Sequence, residues 1–485
     1  MSDADLLFMS AARAAAQIRA GKLSPVDYVD AVLAGIARAN PALNAFSHVM
    51  ADEARRDAIT AERAVRRGDP LGPLHGVPVH IKDLVEVAGV PFRRGTAIFA
   101  DAVGAKDDIT VTRLRAAGAI VVGKTATPEF GVKALTDGPG FGITRNPWNL
   151  ERTPGGSSGG AAAAVAAGLG PLGLGTDGAG SIRGPAACCG LVGLKATLGV
   201  VPLEGAADGF ANNSYAGPLT RTVADAAIMH AVLAGDGSPA PLSPDPWSIS
   251  PAPQGRLMPR LVGADAVGLR VGYFPRCANP RVAADVTANT NAMLAALTDL
   301  GAEVEEVTTP FDWAEPQGRV LYQAGIAVGM AKFLPQWQNQ MDPVTLAFAE
   351  RGARFSLAEF REAQWARTTL FRAVQGLFAR YDVLVMPTIA RTALPVGHDA
   401  ANDQVMVEGV PTGITRQGWT AYQYPFNLTG HPALSIPSGF GADGLPTALQ
   451  IVGPWGAETD ILRLAGMLEQ ARPWAEHRPS LHGAM

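Results

Sequence analysis

Cysteine is scarce: the 485 residues contain three, Cys188, Cys189 and Cys277. An odd number with two adjacent members makes a poor disulfide framework and points to a reducing compartment. Charge is thin as well, at 17% of residues with a formal net charge of -4. Lys and Arg form no basic stripe, so the electrostatic footprint of a nucleic-acid binder is missing. Residues 153–176 and 417–442 contain no Asp, Glu, Lys or Arg. Gly and Pro break both runs and polar residues interrupt them, so neither suits a membrane span. There is no H-E-x-x-H and no paired Cys or His spacing, which leaves metal catalysis without support. The start, Met1-Ser-Asp-Ala-Asp5, shows neither the positive region nor the apolar stretch of a signal peptide. The expectation is a soluble cytoplasmic protein.

What is plentiful is apolar. At 47% hydrophobic residues the chain can bury a large core, and its length alone suggests about three domains. The N-terminal segment reads as two helices. Ser24-Pro25 marks a start, with Ser as cap, Pro at the first helical position and Asp27 near the positive end. Tyr28, Val32 and Ile36 continue an apolar face at helical spacing. Ile120–Lys124 reads as a buried strand. Gly159–Ala167, nearly all alanine, reads as a helix that Gly168 can end. A strand over Pro171–Gly175 then enters the Thr176–Ser181 loop. A Pro- and Ser-rich stretch from Gly235 suggests an irregular surface connection. Beyond it, Leu269–Phe274, Ala283–Leu300 and Glu303–Thr308 form a β-α-β pattern, and a helix over Leu357–Phe378 precedes a strand over Asp382–Met386. Strands alternating with helices predict an α/β sheet covered on both faces.

Hydrolysis of an amide needs a nucleophile, a proton route and donors for the oxyanion. Ser181 lies in Gly175-Thr-Asp-Gly-Ala-Gly-Ser-Ile-Arg-Gly-Pro185, and Ser157 in Pro154-Gly-Gly-Ser-Ser-Gly-Gly160. Lys82 precedes both, in Val77-Pro-Val-His-Ile-Lys-Asp83. None of the eight histidines has a spacing that selects it as base. A lysine serves if it is neutral, and burial lowers a lysine pKa by as much as about 3–5 units. Val79, Ile81 and Leu84 make burial of Lys82 plausible. The backbone of Gly178, Ala179 and Gly180 can turn N–H groups toward one point. Competing motifs are weaker. Gly118–Thr125 matches G-x-x-x-x-G-K-[ST], but its apolar, β-branched centre suits a strand, and Pro128 stands where the helix of a P-loop should run. Gly168–Gly173 and Gly173–Gly178 match G-x-G-x-x-G only as overlaps in a Gly-rich run. Cys188-Cys189 fits small core packing better than a redox pair.

These segments together resemble the amidase signature family. The likeness runs through Leu74–Pro78, Lys82-Asp83, Gly123–Thr125, Thr144–Pro147, Gly155–Gly160, Gly175–Asp177, Gly180–Arg183, Val192–Lys195, Gly217–Thr220, Pro425–Leu428 and Pro432-Ala433. The resemblance implies one large α/β/α domain with a mixed central sheet rather than three domains. Within residues 1–485 it places N-terminal helices at 1–60, the catalytic core at 61–234, the Pro-rich connection at 235–268, and the rest of the sheet and the pocket segments at 269–485. It implies a triad in which Ser181 accepts the acyl group, Ser157 relays the proton after a cis peptide from Gly156, and Lys82 is the ultimate base. The oxyanion would rest on Gly178, Ala179 and Gly180. Gly131 would line the acyl pocket, together with Phe130, the region of Phe141 and parts of 310–420. Ser158, Asp177 and Arg183 would support the site. No cofactor is implied. The implied partner is a small amide or carbamate substrate, without nucleic acid or membrane, and a homodimer is admitted. Ala179, Ala126, Ala196 and Ser214 depart from the family pattern, which touches substrate choice more than the reaction. The leading reading is an amidohydrolase acting on a small carboxylic amide, aryl amide or carbamate. The alternatives are the glutaminase subunit of a tRNA-dependent amidotransferase and a non-catalytic binding protein. Leu198-Gly-Val-Val-Pro-Leu-Glu-Gly205, where that glutaminase carries a different stretch, disfavours the first alternative.

Overall fold

The computed structural model describes residues 3–206, 208–235 and 265–480. Most of the expected Pro-rich connection, residues 236–264, lies outside the described residues. Thirteen strands are present among the described residues: β1 Phe46–Val49, β2 Pro78–Lys82, β3 Ile120–Thr125, β4 Leu172–Asp177, β5 Val192–Lys195, β6 Tyr215–Thr220, β7 Arg270–Tyr273, β8 Glu303–Glu306, β9 Val383–Pro387, β10 Met406–Val407, β11 Val410–Pro411, β12 Ala433–Phe440 and β13 Pro446–Val452. Eleven form one mixed sheet in the order β1-β3-β2-β4-β6-β5-β12-β13-β9-β7-β8, and β10 and β11 pair apart from it.

Every residue of β2, β3, β9 and β13 is buried, as a sheet covered on both faces requires. The edge strand β8 instead carries Glu303, Glu305 and Glu306, all exposed, and an edge armed with charge resists pairing with another chain. The expected β-α-β unit is present, with β7 and β8 parallel and the helix Ala284–Asp299 between them. The expected single α/β domain is therefore what the chain builds.

The N-terminal segment differs from the expectation. Three helices, Asp3–Leu7, Ala11–Arg19 and Pro25–Leu43, precede β1, instead of two. Ser10 caps the second by accepting from the Arg13 N–H, a start signal as good as Ser24. Ser24 caps the third through the N–H groups of Val26 and Asp27. Gly118–Thr125 is a strand and its entry, as the apolar centre predicted. Cys188 and Cys189 are buried and free. No helix among the described residues is long and apolar enough to cross a membrane.

One topological feature sets up the site. β2 and β4 are parallel neighbours, with Ile81 opposite Leu174. The ends carrying Lys82 and Thr176-Asp177 therefore emerge side by side, where open α/β sheets commonly place their ligand crevice. The helix Gly159–Ala166, fully buried, begins just after Ser157 and Ser158. The helix Arg183–Cys189 begins just after Ser181.

Candidate active site

Lys82 is completely buried. Its Nζ lies 2.7 Å from Ser157 Oγ, 2.9 Å from Ser158 Oγ and 2.9 Å from Thr176 Oγ1. Among the described residues no carboxylate stands within ion-pair distance of it. Burial, only partly opposed by the charge of Asp177, pushes this amine well below the ordinary lysine range. The contrast is Lys124 on the adjoining β3, equally buried but ion-paired to Asp83 at 2.8 Å.

The hydroxyls around Lys82 suit a neutral amine. The Ser158 hydroxyl donates to the Thr176 carbonyl at 3.0 Å, and its oxygen accepts the Thr176 N–H at 3.2 Å. With its proton committed, Ser158 can only accept from Lys82. A neutral amine that gives its second N–H to Thr176 Oγ1 has its lone pair left for the Ser157 hydroxyl. Ser157 follows a cis peptide bond from Gly156. None of the histidines among the described residues hydrogen-bonds to Ser157 or Ser181. Among the described residues His80 and His230 have no hydrogen-bond partner, and His75, His398, His431 and His477 bond elsewhere.

Ser181 sits on a loop built around a fully buried ion pair. Burial would raise the Asp177 carboxyl, but the Arg183 guanidinium beside it prevails and holds it below the usual carboxylate range. Arg183 Nε and Nη2 reach the two carboxylate oxygens at 3.0 and 3.1 Å. The same guanidinium donates to the Gln423 carbonyl, Gln450 Oε1 and Asn427 Oδ1. Asp177 also accepts the N–H of Ile182, at 3.1 Å.

Here one expected role changes. The Gly180 N–H donates to Asp177 Oδ1 at 2.6 Å, so it braces the loop and is not free for an oxyanion. The N–H groups of Gly178, Ala179 and Ser181 make no hydrogen bond among the described residues, so the free donors are these three. Gly180 matters for its missing side chain. Its φ is +116°, and a Cβ there would fall 1.7 Å from Gln423 Oε1 and 2.5 Å from Gln423 Cβ. Gln423 cannot yield easily, because its Nε2 donates to the Thr388 carbonyl at 3.0 Å. Overpacking costs about 1–3 kcal/mol, and the backbone conformation adds roughly 1–3 kcal/mol. Gly180→Ala is expected to lower the melting temperature by several degrees and kcat by about 100-fold or more. Wild-type melting and turnover in that variant would contradict the packing described.

A cavity opens on Ser181, Ala179 and Gly156. Its far wall comes from Tyr322, Phe348 and Thr415–Arg416, inside the expected 310–420 region. Gly131 stands on the other side of Ser157, where a Cβ would lie 3.1 Å from Ser157 Oγ. Phe130 packs away from the cavity, stacked on Phe333 with ring centres 5.9 Å apart. Phe141 does not line it; its carbonyl accepts from the Asn44 side chain instead, because the loop turns back toward the N-terminal helices. Sequence reasoning missed Thr176, Asn427 and Gln423. Thr176 lies within Gly175–Asp177, and only the β2–β4 pairing brings it to Lys82.

A family model described as Amidase matches residues 27–462. The chain belongs to the amidase signature family. This amidase is 37% identical to the acylamidase of Rhodococcus erythropolis, over 99% of both chains. It is 36% identical to one component chain of the glutamyl-tRNA(Gln) amidotransferase of Symbiobacterium thermophilum, over 98% of this chain and 99% of that one. The fold is similar to a bacterial aryl acylamidase of the amidase signature enzymes, with a TM-score of 0.87 and 29% identity over 97% of each chain. The amidase is an amidohydrolase, the reaction class expected from its residues.

Proposed function

We propose that this amidase cleaves a small carboxylic amide, aryl amide or carbamate through a serine acyl-enzyme, with Lys82, Ser157 and Ser181 as its triad. The observation that carries this reading is the buried Lys82 amine, held by three hydroxyl groups and by no carboxylate. Neutral Lys82 takes the Ser157 proton, Ser157 takes the proton of Ser181, and the Ser181 oxygen attacks the carbonyl carbon. The oxyanion receives the free N–H groups of Gly178, Ala179 and Ser181; one such donor is worth about 10²–10³ in rate. The protonated Lys82 then returns its proton through Ser157 to the departing nitrogen, and water releases the acyl group by the same route in reverse. No step calls for a cofactor. In the resting arrangement Ser181 makes no side-chain hydrogen bond among the described residues, and catalytic contacts commonly tighten only around bound substrate.

The acylamidase and aryl acylamidase likenesses favour amide and aryl amide substrates. The amidotransferase likeness keeps a glutaminase reading in view, against which stands the Leu198–Gly205 stretch. A fluorophosphonate probe is expected to modify purified enzyme at one residue, with peptide mass spectrometry finding the adduct on Ser181. Modification elsewhere, or none, would defeat the assignment. Glutaminase activity that appeared only with an added partner protein would favour the second reading.

A further inference from the structure

The cavity beside Ser181 is lined by three cationic side chains, Lys133, Arg319 and Arg416, and by no Asp or Glu. Lys133 is already answered: it is ion-paired to Asp137 and, at 2.7 Å, to Asp342. Arg319 has only a long contact to Glu315 at 3.7 Å. Arg416 has no hydrogen bond and no ion pair among the described residues, and its Nε is buried. Glu315, the acid beside it, faces Arg319 and does not come within ion-pair distance of Arg416.

Arg93 likewise keeps a buried Nε without a hydrogen bond among the described residues, but Arg93 does not line this cavity. Arg183, Arg221 and Arg367 are also largely enclosed, and each donates to one or more backbone carbonyls. Buried donors without partners are rare. Two rings fix the orientation of Arg416: its guanidinium carbon lies 4.4 Å from the Tyr424 ring centre and 5.7 Å from that of Tyr322. Stacking occupies the face of the guanidinium and leaves the N–H edge for a planar, bidentate acceptor. Gly318 makes room for it, since a Cβ there would stand 2.9 Å from Arg416 Nη2.

We propose that the substrate amide carries a carboxylate away from its scissile bond, and that Arg416, with Arg319 beside it, binds that carboxylate in the cavity opening on Ser181. This rests on the reading of Ser181 as nucleophile and adds the substrate class to it. The carboxylate supplies the missing acceptor, and the tyrosine rings hold the guanidinium in place before substrate arrives.

The test separates binding from turnover. Glutaranilic acid, which carries a carboxylate four carbons from its anilide carbonyl, and its neutral methyl ester are titrated by calorimetry into Ser181→Ala. The acid is expected to bind at least about tenfold more tightly than the ester. Adding Arg416→Gln is expected to weaken the acid by about 10–100-fold and leave the ester within about threefold. Arg416→Lys should keep part of the preference, because charge survives while the fork is lost. Equal binding of acid and ester, binding of neither, or a preference that survives Arg416→Gln overturns the proposal. Melting curves accompany each variant. If Arg416→Gln does not fold, Arg319→Gln and Arg416→Lys must each narrow the acid-to-ester ratio, and a ratio unchanged in both overturns it equally. Fluorophosphonate labelling of the wild type keeps the two readings apart. Labelled Ser181 without carboxylate preference removes only this proposal, whereas an unlabelled Ser181 removes the acyl-enzyme.

Discussion

Ser181→Ala is expected to reduce amide hydrolysis by about 10⁴-fold or more, toward the level that the oxyanion donors and substrate binding sustain by themselves. In the proposed mechanism this hydroxyl forms the acyl bond, and Ser157 cannot replace it because that oxygen is buried against Lys82. The change removes one oxygen from a half-buried position that makes no side-chain hydrogen bond among the described residues, so the melting temperature should stay within a few degrees of wild type. Steady-state kinetics with a chromogenic anilide, alongside thermal unfolding, checks both halves. A well-folded Ser181→Ala enzyme with near-normal turnover would end the nucleophile assignment.

Lys82→Ala is expected to cost at least about 10³-fold in kcat/KM, near the upper range of general acid–base catalysis. Lys82→Arg should not restore it, because a guanidinium stays protonated and cannot accept from Ser157. The pH profile gives the sign. Only the uncharged amine works as base, so kcat/KM rises with pH through the folded-state pKa of Lys82. Burial has lowered that pKa well below the ordinary lysine range, so the rise should be complete at a lower pH than a solvated lysine would allow. The limb should vanish from the residual rate of Lys82→Ala. An identical limb in that variant, or a rate that falls over the same interval, would assign the proton acceptor elsewhere.

Much of this was legible in the sequence, and for local reasons. Ser24-Pro25, the alanine run after Gly159 and the Pro171–Gly175 strand each carry their signal within a few residues, and each appears where expected. The burial of Lys82 was legible because apolar residues flank it, and Ser157, which it contacts, stood out by its bracketing glycines. What failed depended on distance or on competition. The contact of Thr176 with Lys82 exists only because a crossover makes β2 and β4 neighbours. Arg416 and Tyr322 reach the cavity from segments far along the chain, and no spacing announces that they meet. Gly180 was misjudged for a nearer reason: the carboxylate three residues earlier competes for its N–H and wins. An Asp in a turn commonly bonds backbone just ahead of it, and that signal was available to be read.

Arg183 ties the shape of the Ser181 loop to residues far along the chain. Three of its hydrogen bonds run to Gln423, Asn427 and Gln450, residues made long after Ser181. A growing or clipped chain can therefore contain Ser181 without the brace that shapes its loop. The loop that carries Ser181 therefore takes its final shape only when residues 423–450 close around Arg183.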